Sequence, residues 1–180
     1  MGDWPTKYDD ADWHYGSDDY QKDWDTRLAC THIGMFIAWA YFNGLMNLQD
    51  MHAEHAKEWF ERRRRGEGSF GEMTEDIFDE KLIGDDLTDE GRAFADWYYE
   101  RYLAEFTDFL PADAPSPYHL ADNSDTFQKI AALLDARLAE FRLLPREDDD
   151  DWAPKAAPAP GATLVGVIRR LWSRIAGGRV

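Results

Sequence analysis

Cysteine is nearly absent from this chain. Cys30 stands alone in 180 residues, which excludes an internal disulfide and suits a reducing cytosol. Long apolar runs are missing too. The longest, Ile33 to Phe42, falls short of the roughly 20 residues that a bilayer-spanning helix needs. No charged-then-apolar leader opens the sequence, so the expectation is a soluble cytoplasmic protein of bacterial style. Alternating strand patterns are scarce, and no internal repeat occurs. There is no G-x-S-x-G elbow and no phosphate-cradling glycine loop. Cys30 precedes His32 by two positions on an apolar helical stretch, where such residues do not face each other. Nucleophilic catalysis therefore has little support. Paired-carboxylate hydrolysis has no distinguishing pair among so many acids.

Basic residues are scarce in the body of the chain. Residues 1–151 carry 15 bases against all 36 acids, a formal charge of −21, while the whole chain stands at −16. From Trp152 to Val180 the balance reverses, with Lys155, Arg169, Arg170, Arg174 and Arg179 and no acid. So acidic a body repels nucleic-acid phosphates and anionic membrane and attracts basic proteins.

What the sequence has in quantity is aromatic side chains. They make up 14% of the residues, with eight tryptophans, in a chain that is 44% hydrophobic. That is enough for a sizeable core. The reading is mainly α: a compact bundle of five or six helices, an irregular aromatic N-terminal segment and a flexible C-terminal tail. Residues 1–145 form an acidic globular domain, 146–162 an acidic and Pro/Ala-rich linker, and 163–180 a basic amphipathic helix. That tail helix could touch membrane weakly or dock on the acidic body.

Within the body, Thr26 to Gly44 reads as a central helix buried on most faces, with Gly34 marking a close approach. Asn47 to Arg65 is a second helix with Met51, His55, Trp59 and Phe60 as its stripe. Arg62 to Arg65 then form a cationic C-terminal turn rather than a nucleic-acid patch. A capping box, Ser69-x-x-Glu72, opens a short helix to Phe78, and KLIGDDLTDEG turns the chain. Thr88 starts a helix that runs to about Leu110, with Phe94, Trp97, Tyr98, Tyr102 or Leu103, and Phe106 buried. Pro111, Pro115 and Pro117 forbid a helix in the loop that follows. The last helix spans Asn123 to Leu144, with Phe127, Ile130, Ala131, Leu134, Leu138 and Phe141 on one face.

Polar chemistry concentrates in YDDADWHYGS (Tyr8 to Ser17). Asp9, Asp10, His14 and His32 could form a carboxylate–imidazole metal site, with Asp10, His14 and His32 as the candidate ligands. They could equally form a hydrogen-bonded network that pins the N-terminal segment to the central helix. His52 and His55 lack the spacing of zincin ligands and read as solvent-edge residues. Acids interleaved with Trp and Tyr also suit a protein-binding face with an acidic rim.

YDDADWHYG (Tyr8–Gly16) and THIGMFIAWAYFNGL (Thr31–Leu45) resemble a family of uncharacterised bacterial proteins that share a domain of unknown function. DEKLIGDDLTDEGRAFADWYYERYL (Asp79–Leu103) and SPYHLADNSDTF (Ser116–Phe127) resemble it too, so the likeness covers Tyr8 to Phe141. The segment after Gly16 and the Arg-rich tail depart from the family pattern. The resemblance points to Tyr8, Asp9, Asp10, Trp13, His14, Tyr15, Thr31, His32, Gly34, Trp39, Tyr118, His119 and Asp122 as a shared binding or structural set. It also implies a likeness to immunity proteins of bacterial toxin systems. The expected function is an antitoxin-like binder of a basic protein, needing no cofactor. The alternative is a metal-binding protein or hydrolase that uses Asp9, Asp10, His14 and His32.

Overall fold

The computed structural model describes residues 6–17, 20–48 and 50–145, with backbone alone for 50–52. The linker and basic tail expected over 146–180 lie outside the described residues. The architecture is mainly α. A short strand β1 (Lys7–Asp10) leads into α1 (Ala11–Tyr15), then α2 (Arg27–Phe42), α3 (Asp50–Arg64) and α4 (Phe70–Phe78). Strand β2 (Lys81–Ile83) follows, then α5 (Asp89–Phe106) and α6 (Ser124–Arg142).

Helix α2 is the axis of the molecule. Every residue from Ala29 to Ala40 is buried, which accounts for its nearly unbroken apolar sequence. Its closest neighbour is α4. An alanine Cβ at Gly34 would sit 2.3 Å from the Phe70 carbonyl oxygen, and one at Gly71 would sit 2.6 Å from that of Arg27. Two glycines thus let two helix backbones meet, at separations that any side chain would prevent. The capping box is formed as expected: Ser69 Oγ accepts from the Glu72 amide, and the Glu72 carboxylate accepts from the Ser69 amide. Helices α5 and α6 cover other parts of α2, with Phe94, Tyr98, Tyr99, Tyr102 and Phe106 from α5 and Ile130, Leu134 and Leu138 from α6 buried. Thr88 and Asn123 cap these two helices with their side chains.

Three expectations need correction. KLIGDDLTDEG is not all turn: Lys81–Ile83 pairs antiparallel with Lys7–Asp10, and a bulge separates the partners of Lys7 and Asp9. The bulge breaks the period of two, so Tyr8, Asp9 and Asp10 are buried in succession. That is why no alternating pattern announced a strand. Second, Trp97 is only half-buried, and Tyr99 takes a place in the core. Third, His55 is exposed, as its solvent-edge reading had it and its place on the stripe did not, and Ala56 occupies the buried stripe of α3 with Trp59 and Phe60. The arginines do close α3. Arg63 turns inward, stacks over Phe70 at 3.9 Å and donates to the carbonyls of Glu67 and Gly68.

Candidate functional site: a buried aspartate between two histidines

Strand β1 delivers Asp9 into the core with no solvent exposure. Its carboxylate is fully engaged. Oδ1 accepts from the Asp10 amide at 2.8 Å and from His14 Nε2 at 2.9 Å. Oδ2 accepts from His32 Nε2 at 3.0 Å and from the Tyr99 hydroxyl at 2.9 Å. Because an ionised carboxylate only accepts, both imidazoles carry their proton on Nε2 in this arrangement. The two rings meet edge to face, 4.8 Å between centroids.

The surroundings continue the network. His14 Nδ1 lies 3.2 Å from the Tyr118 hydroxyl, which lies 3.4 Å from Ser17 Oγ. Tyr102 donates to the His32 carbonyl at 2.8 Å. Tyr8, beside Asp9 on β1, donates to Asp96 at 2.7 Å on α5. Four separate parts of the chain are therefore tied to one carboxylate: β1, α1, α2 and α5.

Electrostatics follow from this geometry. Burial alone would push the Asp9 carboxyl up. The adjoining imidazoles, by charge and by hydrogen bond, instead hold it well below the usual carboxylate range. Burial pushes His32 below its ordinary value against the opposing pull of Asp9. Burial, then the Asp9 charge, pushes the Tyr99 phenol well up, so Tyr99 remains a donor.

The other residues singled out in the sequence scatter around this hub rather than joining it. Asp10 turns away, accepts from the Asp12 amide as the N-cap of α1, and pairs with Lys7 at 2.5 Å. Thr31 donates to Arg27 and to Asp122. Asp122 accepts from the Phe70 and Gly71 amides at 2.9 Å each, closing the N-terminus of α4. Gly34 is the α2–α4 contact, and Trp39 donates its indole N–H to Asp135 at 2.8 Å. His119 bonds Ser116 and packs edge-on against Trp24. Trp13 and Tyr15 are half-buried, with Lys7 Nζ 5.5 Å from the Trp13 ring.

Sequence reasoning missed Tyr99 as a site residue. A signal was present, since Tyr98, Tyr99 and Tyr102 crowd the inner side of one helix and a buried phenol needs a polar partner.

Outside the hub, Tyr15 donates to Glu80 at 3.2 Å, and Thr26 donates to Glu75 at 2.9 Å. Partial burial, then the charges of Glu75, Asp12 and Asp79, outweigh the Tyr15 hydrogen bond and raise the Glu80 carboxyl above its ordinary value. Asp79 and Glu80 both have positive φ, 49° and 61°. Such a conformation is costly for residues with a Cβ. It brings the Glu80 carbonyl to the Ala11 amide at 3.0 Å.

Fold and site together define a mainly α domain organised on a buried carboxylate–imidazole hub. The chain belongs to the family described as a domain of unknown function (DUF7832), whose model matches residues 7–120. That span opens on β1 and contains every hub residue, whereas α6 lies beyond it. No curated protein and no solved structure matches the chain.

Proposed function

We propose that this is a cytoplasmic binding protein that covers a basic protein partner, in the manner of bacterial immunity or antitoxin proteins. The carrying observation is the group of carboxylates Asp12, Glu75, Asp79 and Glu80 beside half-buried Tyr15. Partial burial, with the charges of Glu75, Asp12 and Asp79 adding to it, raises Glu80, and Asp79 and Glu80 both have positive φ. Like charges gathered at one partly buried place suit a surface that meets a cationic partner. A cationic partner would relieve the repulsion, and the acidic body would steer its approach. Half-buried Tyr15 supplies apolar surface for such an interface.

The test is affinity capture of the tagged full chain from cells of its source at low and at high salt, followed by reconstitution with the purified candidate. The expected result is one basic protein, stoichiometric on reconstitution, bound more weakly as salt rises. Binding that is indifferent to salt, or only acidic or nucleic-acid partners, would overturn the reading.

A further inference from the structure

The hub has the composition of a metal centre as well as of a hydrogen-bond network. One ligand atom each from Asp9, His14 and His32 can be chosen so that all lie within 4.8 Å of one another. All three side chains are buried. We propose that Asp9, His14 and His32 bind a divalent first-row transition ion of the zinc type inside the folded chain, an inference independent of the partner-binding reading above.

The donor set carries the choice of ion. Two imidazole nitrogens and one carboxylate suit zinc and its neighbours, and disfavour calcium and magnesium, which take oxygen ligands. Ligands of one zinc stand about 2.0–2.2 Å from it. Two ligands of one ion are then at most about 4.4 Å apart, so atoms spread over as much as 4.8 Å must draw slightly closer. The ligands arrive from β1, α1 and α2, so the ion would join the N-terminal segment to the central helix.

Protonation also fits. A metal needs a carboxylate and neutral imidazoles. Binding at Nε2 requires each imidazole to carry its proton on Nδ1 instead, His14 and His32 alike. At His14, Tyr118 is placed for that change, because its hydroxyl at 3.2 Å can accept from Nδ1–H as readily as it donates to Nδ1. No proton need leave His14; it changes nitrogen. Tyr99 and the Asp10 amide then hold the ligating carboxylate from outside, as the outer shell of a metal site does. Since the site is enclosed, the ion would enter as the chain folds.

The test uses the full chain, purified without metal-affinity resin and dialysed. Expected are stoichiometric zinc by elemental analysis, a lower melting temperature after refolding with chelator, and recovery of that temperature on refolding with zinc. Refolding with cobalt(II) should give visible d–d absorption that His32→Gln abolishes, while Tyr118→Phe weakens zinc affinity by about 10- to 100-fold. Should His32→Gln fail to fold, metal content and zinc-dependent refolding of the unaltered chain decide alone. Metal-free protein whose melting temperature is unmoved by refolding with zinc or cobalt would overturn the proposal. So would metal retained in His14→Gln and His32→Gln, because the ion would then sit elsewhere.

Discussion

At the scale of single residues, the Asp9 carboxylate ties several parts of this structure together. Its carboxylate meets four donors in a space without water contact. Removing it leaves two imidazoles and a phenol short of a buried acceptor. Asp9→Ala should therefore cost about 3–5 kcal/mol, which for a domain of this size lowers the melting temperature by roughly 10 °C; calorimetry measures it. His32 sets a pH dependence. Its folded pKa lies below the ordinary 6.5, so just below that pH the unfolded chain holds a proton that the folded chain does not. Protons then favour unfolding. The contribution of His32 is complete above about pH 6.5 and shrinks as pH falls toward the folded value. Melting temperature should decline between about pH 6.5 and 5.5, where most carboxylates remain ionised. A flat profile there would mean that His32 is not held neutral. The sequence made Asp9, His14 and His32 legible as a group, because histidines next to acids in apolar surroundings need partners. It could not separate Asp9 from Asp10. Adjacent residues differ in which side of a strand they face, and a bulge invisible in the sequence decides that here.

At the scale of elements, three helix starts were readable from their capping side chains, whereas the Asp10 cap of α1 was not. Ser69, Thr88 and Asn123 start their helices where their hydroxyl or amide oxygens bond the first-turn amides. The two strands were not readable, being four and three residues long and held by pairing across the chain rather than by local preference. The α2–α4 contact was half legible: Gly34 marked a close approach, but not to which helix. The Phe70 carbonyl and the Thr74 hydroxyl now identify it, at 2.3 and 2.4 Å from a Cβ built on Gly34. Gly34→Ala should destabilise by about 1–3 kcal/mol through overpacking, although alanine is the better helix former. Urea denaturation would show it as a lowered midpoint. An unchanged or raised midpoint would mean that the two helices can part without loss.

At the scale of the whole molecule, charge is the dominant feature, and it was fully legible: −21 over residues 1–151. Its arrangement was not. Acids from α1, α4 and the residues before β2 come together only because β1 pairs with β2 and Glu80 bonds Ala11. The hub therefore does more than stabilise, since it positions the surface on which the proposed function rests. The most direct measurement is the association rate of the purified partner with the full chain across a range of ionic strength, beside a chain carrying Asp12→Lys and Asp79→Lys. Both substituted side chains are exposed. The account predicts a rate that falls steeply with salt and is about tenfold or more slower for the substituted chain at low salt. A rate that ignores both salt and the substitutions would contradict it.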